Sequence, residues 1–336
     1  MEQNIRQRME QEEYIRLDER AAKAAESRGR LREEPENEVR TCFQRDSDRI
    51  LHSKSFRRLM HKTQVFLQPE GDHYRTRMTH TLEVARIGRT IARALRLNED
   101  LTEAIAFGHD LGHTPFGHAG EIALTEITGK PFAHNEQSLR VVDRIENDGR
   151  GLNLTYETRR GILCHTGDDL PETQEGMIIR SADRIAYLNH DIDDAMRAQV
   201  LTERDIPYSI SSVLGESHSR RINTLVEDMI FATAETGEPH MHDPVAAAMQ
   251  ELREFMFERI YRNPVVKGEE AKAREMLKRL YEYYMKNPQK LPADFRPQLD
   301  FDGMDRVVCD YIAGMTDKYA VAKYSEIFIP LAWQMQ

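Results

Sequence analysis

Residues 105–121 read I-A-F-G-H-D-L-G-H-T-P-F-G-H-A-G-E. Five groups able to bind a metal or move a proton, His109, Asp110, His113, His118 and Glu121, fall within thirteen positions of that stretch. The run leading into it, Glu99 to Leu111, has helical spacing, with Leu101, Ile105 and Leu111 on or near one face and no proline before Pro115. On such a helix His109 and His113, at i and i+4, project from the same side, while Asp110 lies about 100° round. A lone His-Asp pair on an apolar helix is ordinarily a hydrogen-bonded core pair, because a two-residue match recurs by chance in any long chain. The density here, with glycines at 108, 112, 117 and 120, points elsewhere. Those glycines give up helix propensity for tight turns and close backbone approach.

A mononuclear site needs more ligands than His109 and Asp110, and both flanks offer them. Upstream, His80 stands near the start of a helix whose apolar positions are Leu82, Val84, Ile87, Ile91 and Leu95. Downstream, Asp183 lies in a helix with Ile178, Ile179, Ile185 and Leu188. A carboxylate beside so much apolar surface costs free energy unless it is paired or bound to a cation, so Asp183 is expected to have a partner.

The set His80, His109-Asp110 and Asp183 resembles the HD-domain phosphohydrolases, in which H…HD…D holds one metal ion inside a bundle of helices. The closer resemblance is to the deoxynucleoside triphosphate triphosphohydrolases of the deoxyguanosinetriphosphate triphosphohydrolase-like kind. Five ordered blocks carry it: R-D-S-D-R-I-L-H-S-K-S-F-R-R-L-M-H-K-T-Q-V-F (45–66), H-D-L-G-H-T-P-F-G-H-A-G-E (109–121), F-A-H-N-E-Q-S (132–138), A-D-R-I-A-Y-L-N-H-D-I-D-D-A (182–195) and D-Y-I-A-G-M-T-D (310–317). Without a long insertion between the second block and Asp183, the chain is similar to the shorter, bacterial members.

The resemblance implies an all-α fold, an HD-domain helical bundle with additional C-terminal helices. It implies one divalent ion per subunit, held by His80, His109, Asp110 and Asp183. Two imidazoles and two carboxylates suit manganese, iron, zinc, cobalt or nickel, and magnesium through the carboxylates. The family's reaction attacks the α-phosphorus of a deoxynucleoside triphosphate and releases deoxynucleoside and tripolyphosphate. Such a reaction needs an aligned water and a proton for the departing 5′-oxygen. His118, Glu121 and His134 are the candidates for that work, with His113 in the same pocket, and spacing alone does not say which histidine is the acid. By the same likeness Gln64 contacts the sugar 3′-hydroxyl, Tyr187 stacks on the deoxyribose and Asp191 helps hold its 3′-hydroxyl. Arg77, three residues before His80 on one helical face, is placed to reach a phosphate at the metal. Regulation by a deoxynucleotide activator and a homo-oligomer, tetramer or hexamer, are further implications.

In chain order, residues 1–44 are a charged segment whose run E-E-Y-I-R-L-D-E-R-A-A-K-A-A-E reads as a solvated helix. Residues 45–200 read as the phosphohydrolase core, and 201–336 as a helical extension with helices over 216–236, 243–262, 268–286 and 302–322. Within 45–66, Arg45, Arg49, Lys54, Arg57, Arg58 and Lys62 alternate with Ile50, Leu51, Phe56, Leu59 and Phe66. The likeness favours a phosphate-facing wall there over a plain soluble face, since guanidinium and ammonium groups neutralise a triphosphate. Gln68–Asp72 reads as a turn. Asp193 and Asp194 are expected to face solvent.

The net charge of −10 disfavours nucleic acid or an anionic membrane as the default partner. Three widely spaced cysteines, odd in number and without a CxxC, argue against a disulfide framework. No run approaches eighteen apolar residues, so neither a signal peptide nor a membrane span is expected and the chain reads as cytoplasmic. Two other readings bear on the same residues: an HD hydrolase of nucleoside monophosphates or an alarmone, and a non-catalytic nucleotide sensor or single-strand nucleic-acid binder. The Gln64, Tyr187 and Asp191 set disfavours the first, and the complete metal set with acidic charge disfavours the second.

Overall fold

The structure, a computed structural model, describes residues 3–64 and 74–330, with backbone alone for 264–267. The expected turn at Gln68–Asp72 and the residues Val65 and Phe66 lie outside the described residues.

The chain is helical, and among the described residues β-pairing is confined to two isolated bridges, Arg30 with Thr155 and Thr63 with Thr76. The helices are α1 (Ile5–Arg16), α2 (Cys42–Leu51), α3 (Lys54–Arg58), α4 (Arg77–Ala94), α5 (Glu99–Gly108) and α6 (His118–Thr128). They continue with α7 (His134–Arg140), the short α8 (Glu146–Gly149), α9 (Tyr156–Cys164), α10 (Gln174–Arg197), α11 (Tyr208–Leu214) and α12 (His218–Thr236). The last are α13 (Asp243–Met256), α14 (Pro264–Lys286), α15 (Leu299–Asp302), α16 (Met304–Ala313) and α17 (Asp317–Phe328).

Local chemistry sets where these begin. Thr76 caps α4 with a full capping box, and the side chains of Asn98, Thr155 and Thr173 accept first-turn N–H groups of α5, α9 and α10. Packing then selects the faces. α10 lies along α4 and α5, α5 is covered by α2, and α9 closes against α5 and α7. Ile91, Leu101, Ile105, Ile178, Ile179 and Ile185 are fully buried at this junction. Each contributes about 1.5–3 kcal/mol by leaving water. This apolar cluster continues through α12 and α13 to Ile260. A second cluster joins α6 to α14 and α16 through Leu124, Leu277, Leu280, Val308 and Ile312.

Several expectations are corrected. The charged N-terminal helix runs over Ile5–Arg16 and ends at Leu17, earlier than the run of charges suggested. Leu82 is exposed on α4. The expected helix 302–322 is broken at Gly314 into α16 and α17, where Thr316 caps the new start. α5 stops at Gly108, so His109 and His113 do not share a helix side. His109 is its C-cap, and the following turn carries His113 away toward α7.

Candidate metal centre and active site

Three elements bring the ligand candidates together: α4 carries buried His80, α10 carries Asp183, and the turn after α5 carries His109 and Asp110. His80 Nε2 lies 3.0 Å from Asp183 Oδ1. His109 Nε2 lies 3.8 Å from the same oxygen and 3.4 Å from Asp110 Oδ1. Donor atoms of His80, His109 and Asp110 all fall within 4.8 Å of one another.

His109 donates its Nδ1–H to the Ala106 carbonyl at 2.7 Å, which leaves Nε2 a lone pair, buried and without a hydrogen-bond partner. A lone pair oriented through the other ring nitrogen is what a metal-binding histidine presents. Burial raises both carboxyl pKa values, but neighbouring imidazoles and, at Asp110, Arg77 more than offset it. His113, His109 and Arg77 hold Asp110 well below its ordinary range, and His80 and His109 do the same for Asp183. Two ionised carboxylates with two imidazoles fit a divalent ion. Arg77 Nη1 donates to Asp110 Oδ2 at 3.0 Å, and its Nε is buried and unpartnered.

A second group abuts the first through Asp110. Donor atoms of Asp110, His113 and His134 also lie within 4.8 Å of one another. His113 Nδ1 is 3.0 Å from Asp110 Oδ1, close but outside hydrogen-bond alignment. Its ring stacks on His134 with centroids 3.9 Å apart. Burial, with Arg77 adding to it, pushes His113 down to about 3. Glu121 Oε1 accepts from His134 Nδ1 at 3.0 Å and Oε2 from His118 Nδ1 at 3.2 Å. Burial raises Glu121, and these two bonds bring it below the usual carboxylate range. His118 meets Glu121 from the solvent side, its side chain 80% exposed.

The backbone explains why this loop is rich in glycine. A Cβ on Gly112 would sit 2.2 Å from Ser138 N and 2.4 Å from His134 O, so only glycine lets the His109–His113 turn touch α7. Ser138 Oγ seals that approach, donating to His109 O at 2.6 Å and accepting from Gly112 N at 2.8 Å. Phe116 and Gly117 take positive φ of 62° and 56°. That conformation costs Phe116 free energy, so its surroundings must hold it. Asp317 does so: its carboxylate accepts Phe116 N–H at 2.9 Å, Thr63 N–H at 2.9 Å, and the Thr63 hydroxyl. Lys62 bridges His113 O at 2.5 Å and Ala313 O at 3.0 Å. Its burial, with Arg58 and Arg77 nearby, lowers its pKa to about 7. Asp310, the other end of that C-terminal block, accepts from Arg140 at 2.6 Å and Gln137 at 2.9 Å and so anchors α7.

The sugar-contact candidates lie along α10. Tyr187 is half-buried beside Arg184 and Arg253 at the edge of a cavity of ≈ 290 Å³, also lined by Met229, Met241 and Met249. Asp191 Oδ2 accepts the Tyr261 hydroxyl, and Oδ1 is buried and unpartnered. Burial raises the Asp191 pKa to about 7, against the bond from Tyr261. Gln64 passes Gly117 with its Oε1 buried and unpartnered.

The phosphate-facing wall expected over 45–66 is not formed as read. Arg45 and Arg49 reach Glu34 at 2.8 and 2.6 Å, and Lys54 pairs with Asp148 and Asp294. Of that set, Lys62 donates to His113 O in the loop after α5. Asp194 is buried rather than solvated, and Arg75 bridges it and Asp193 at 3.2 and 2.9 Å. Sequence reasoning missed His165, whose Nε2 stands 3.2 Å from His134 Nε2. It also missed Tyr261, 70 positions from the aspartate it touches. His165 had a signal, a histidine directly after an apolar helix end as at His109; Tyr261 had none.

The chain matches the HD domain over residues 77–188 and the phosphohydrolase-associated domain over 240–326. Relatives that bear the name deoxyguanosinetriphosphate triphosphohydrolase-like protein match nearly the whole chain. That of Caldanaerobacter subterraneus subsp. tengcongensis is 54% identical over 98% of this chain and 97% of its own. That of Desulfatibacillum aliphaticivorans is 48% identical (97% and 98%), and that of Clostridium tetani 46% (97% and 97%). The solved structure of a hypothetical protein from Aquifex aeolicus overlaps 84% of this chain and 71% of that one, with a TM-score of 0.47 at 19% identity. With an HD domain around a His-Asp cluster fit for a divalent ion, and near-full-length identity to these relatives, the chain belongs to the deoxyguanosinetriphosphate triphosphohydrolase-like proteins, a hydrolase family.

Proposed function

We propose that this chain hydrolyses deoxynucleoside triphosphates to deoxynucleoside and tripolyphosphate. The observation that carries the reading is one continuous site: His80, His109, Asp110 and Asp183 beside the Glu121–His134 pair, with Arg77 against Asp110. A divalent ion bound there supplies Lewis acidity and a template for phosphate and water. The remaining work falls to side chains. Arg77, with an unpartnered Nε, neutralises phosphate charge. Glu121 holds His134 at Nδ1, and the Nε2–H of that ring, leaving its resting contact with His165, goes to the 5′-oxygen as the P–O5′ bond breaks and the oxygen of water bonds to the α-phosphorus, the proton that the water gives up passing to solvent. His118, at the solvent edge, exchanges protons with that pair, and His113 stacks under His134. Asp191 Oδ1 and Gln64 Oε1, both buried acceptors without partners, suit a sugar 3′-hydroxyl, with Tyr187 beside the ring.

This reading includes one ion per subunit, a cytoplasmic homo-oligomer of four or six chains, and activation by a deoxynucleotide. All three rest on the family likeness; no helix among the described residues is long and apolar enough to cross a membrane. Residues 45–200 serve as the catalytic core and 201–336 as an extension that braces it, supported by the contacts of Tyr261, Asp310 and Asp317.

Product chromatography tests the reading. The protein is incubated with the four deoxynucleoside triphosphates, singly and mixed, with manganese or magnesium. Tripolyphosphate with deoxynucleoside is the expected outcome. Monophosphate with pyrophosphate would move the protein to another hydrolase class, and absence of product would favour a sensor.

A further inference from the structure

His165 stands outside the set of residues given a role so far, yet it repeats the local geometry of His109. Each histidine caps the C-terminus of a helix, His109 on α5 and His165 on α9. Each donates Nδ1–H to the carbonyl three residues back, Ala106 and Ile162, in both cases at 2.7 Å. The rings meet edge to face with centroids 5.0 Å apart. A carbonyl can only accept, so the Nε2 of each ring is a lone pair turned into the site.

The two lone pairs meet different neighbours. His109 Nε2 has no hydrogen-bond partner and belongs to a cluster able to hold an ion. His165 is in neither such cluster among the described residues, and its Nε2 lies 3.2 Å from His134 Nε2. With Nδ1–H committed to Ile162, His165 accepts at Nε2 and His134 donates. His134 is thereby gripped at both nitrogens, by Glu121 Oε1 at 3.0 Å and by His165, while His113 stacks on its face. A side-chain bond to the backbone supports the spacing: Asn135, next to His134, donates Nδ2–H to Leu163 O at 2.7 Å and ties the start of α7 to the end of α9.

We propose that His165 is a positioning residue for His134, accepting from its Nε2 and so setting the angle at which that ring meets substrate. The role rests on the triphosphohydrolase reading above. A glutamine at 165 can place an acceptor near the Nε2 position, whereas phenylalanine keeps the ring and loses the acceptor.

The test compares His165→Phe with His165→Gln in the metal-loaded protein, reading kcat, KM, metal content and the crystal structure of each. Expected are a kcat about 10²-fold lower in His165→Phe, the scale of a misplaced catalytic group, with KM and bound metal unchanged and the His134 ring rotated. His165→Gln should regain about tenfold of that loss, one hydrogen bond's worth, and keep the native ring angle. His165→Leu, equally unable to accept, gives the same comparison if the phenyl ring prevents folding. Equal activities in the Gln and Phe variants, metal loss in step with activity, or an unmoved His134 ring in His165→Phe would each overturn the proposal. If the native protein releases no tripolyphosphate, the reaction assignment falls by itself, and the ring angles still decide the role of His165.

Discussion

Asp317 Oδ1 accepts the backbone N–H of Phe116 at 2.9 Å, joining residues 201 positions apart. The carboxylate therefore holds the strained turn that leads into His118 and Glu121. Asp317→Ala leaves buried N–H groups of Phe116 and Thr63 without partners, a cost of about 1–3 kcal/mol. Turnover is expected to fall about tenfold as the loop relaxes. Chemical denaturation beside steady-state kinetics measures both; native values in each would show that the clamp is idle.

Glu121 sits between His118 and His134 and, among the described residues, belongs to neither group of donor atoms that could hold an ion. Glu121→Gln should keep its ion and lose about 10²–10⁴-fold in kcat, the range of a proton-transfer catalyst. Elemental analysis of the purified variant is decisive here, because a variant that arrives without metal would make Glu121 part of the ion's support.

For the ligand set the expectation is reversed. His109→Ala or Asp183→Ala should lose metal and activity together, and chelation of the native protein should reproduce the loss until a divalent ion is restored. Full metal occupancy in Asp183→Ala would remove that residue from the set.

Tyr261 donates to Asp191 and holds it against the α10 stripe. Tyr261→Phe removes a hydrogen bond to an acidic group, about 1.5–3 kcal/mol. If Asp191 holds the sugar, KM for deoxynucleoside triphosphates rises about tenfold with kcat less affected, and discrimination against ribonucleotides weakens. Unaltered KM and discrimination would place the pair outside the substrate pocket.

The N-terminal segment offers a pH prediction remote from the metal. Burial raises the Glu13 pKa to about 7, against hydrogen bonds from Ala24 N–H and Asn98 that lower it. The unfolded value is 4.5, so the folded state binds the extra proton between these limits. Glu13 therefore contributes fully below pH 4.5, and the contribution is lost as pH rises through about 7. Discounted for partial exposure, the loss is on the order of 1–2 kcal/mol. Denaturation midpoints at pH 5 and pH 8 should differ more in the native protein than in Glu13→Gln; equal differences would dismiss Glu13 as the source.

Much of this site was legible before any coordinate. That His80, His109, Asp110 and Asp183 come together was expected from the partner that a carboxylate beside apolar residues demands and from the resemblance to the HD-domain phosphohydrolases, although His109 and Asp110 stand past the end of α5 rather than on its face. Arg45 and Arg49 were misread for the converse reason. Sequence displays a cation, but only the fold reveals that Glu34 has neutralised it. The break at Gly314 was hidden inside a plausible helical period, and although the glycines after His109 announced close backbone approach, the helical spacing read through to Leu111 hid the stop of α5 at Gly108. Tyr261 could not be found, since nothing near it in the chain announces Asp191.

The clamp from Asp317 to Phe116 also has a meaning in time. Synthesis runs in one direction, and at roughly 5–20 residues per second the 201 positions between them take about 10–40 s. In the part of that interval after residue 183, a nascent chain carries the candidate ligands His80, His109, Asp110 and Asp183 but not the carboxylate that holds the Phe116 turn. Full turnover is therefore expected only once residue 317 is in place, and a product terminated before it would carry the candidate ligands without the clamp on the Phe116 turn.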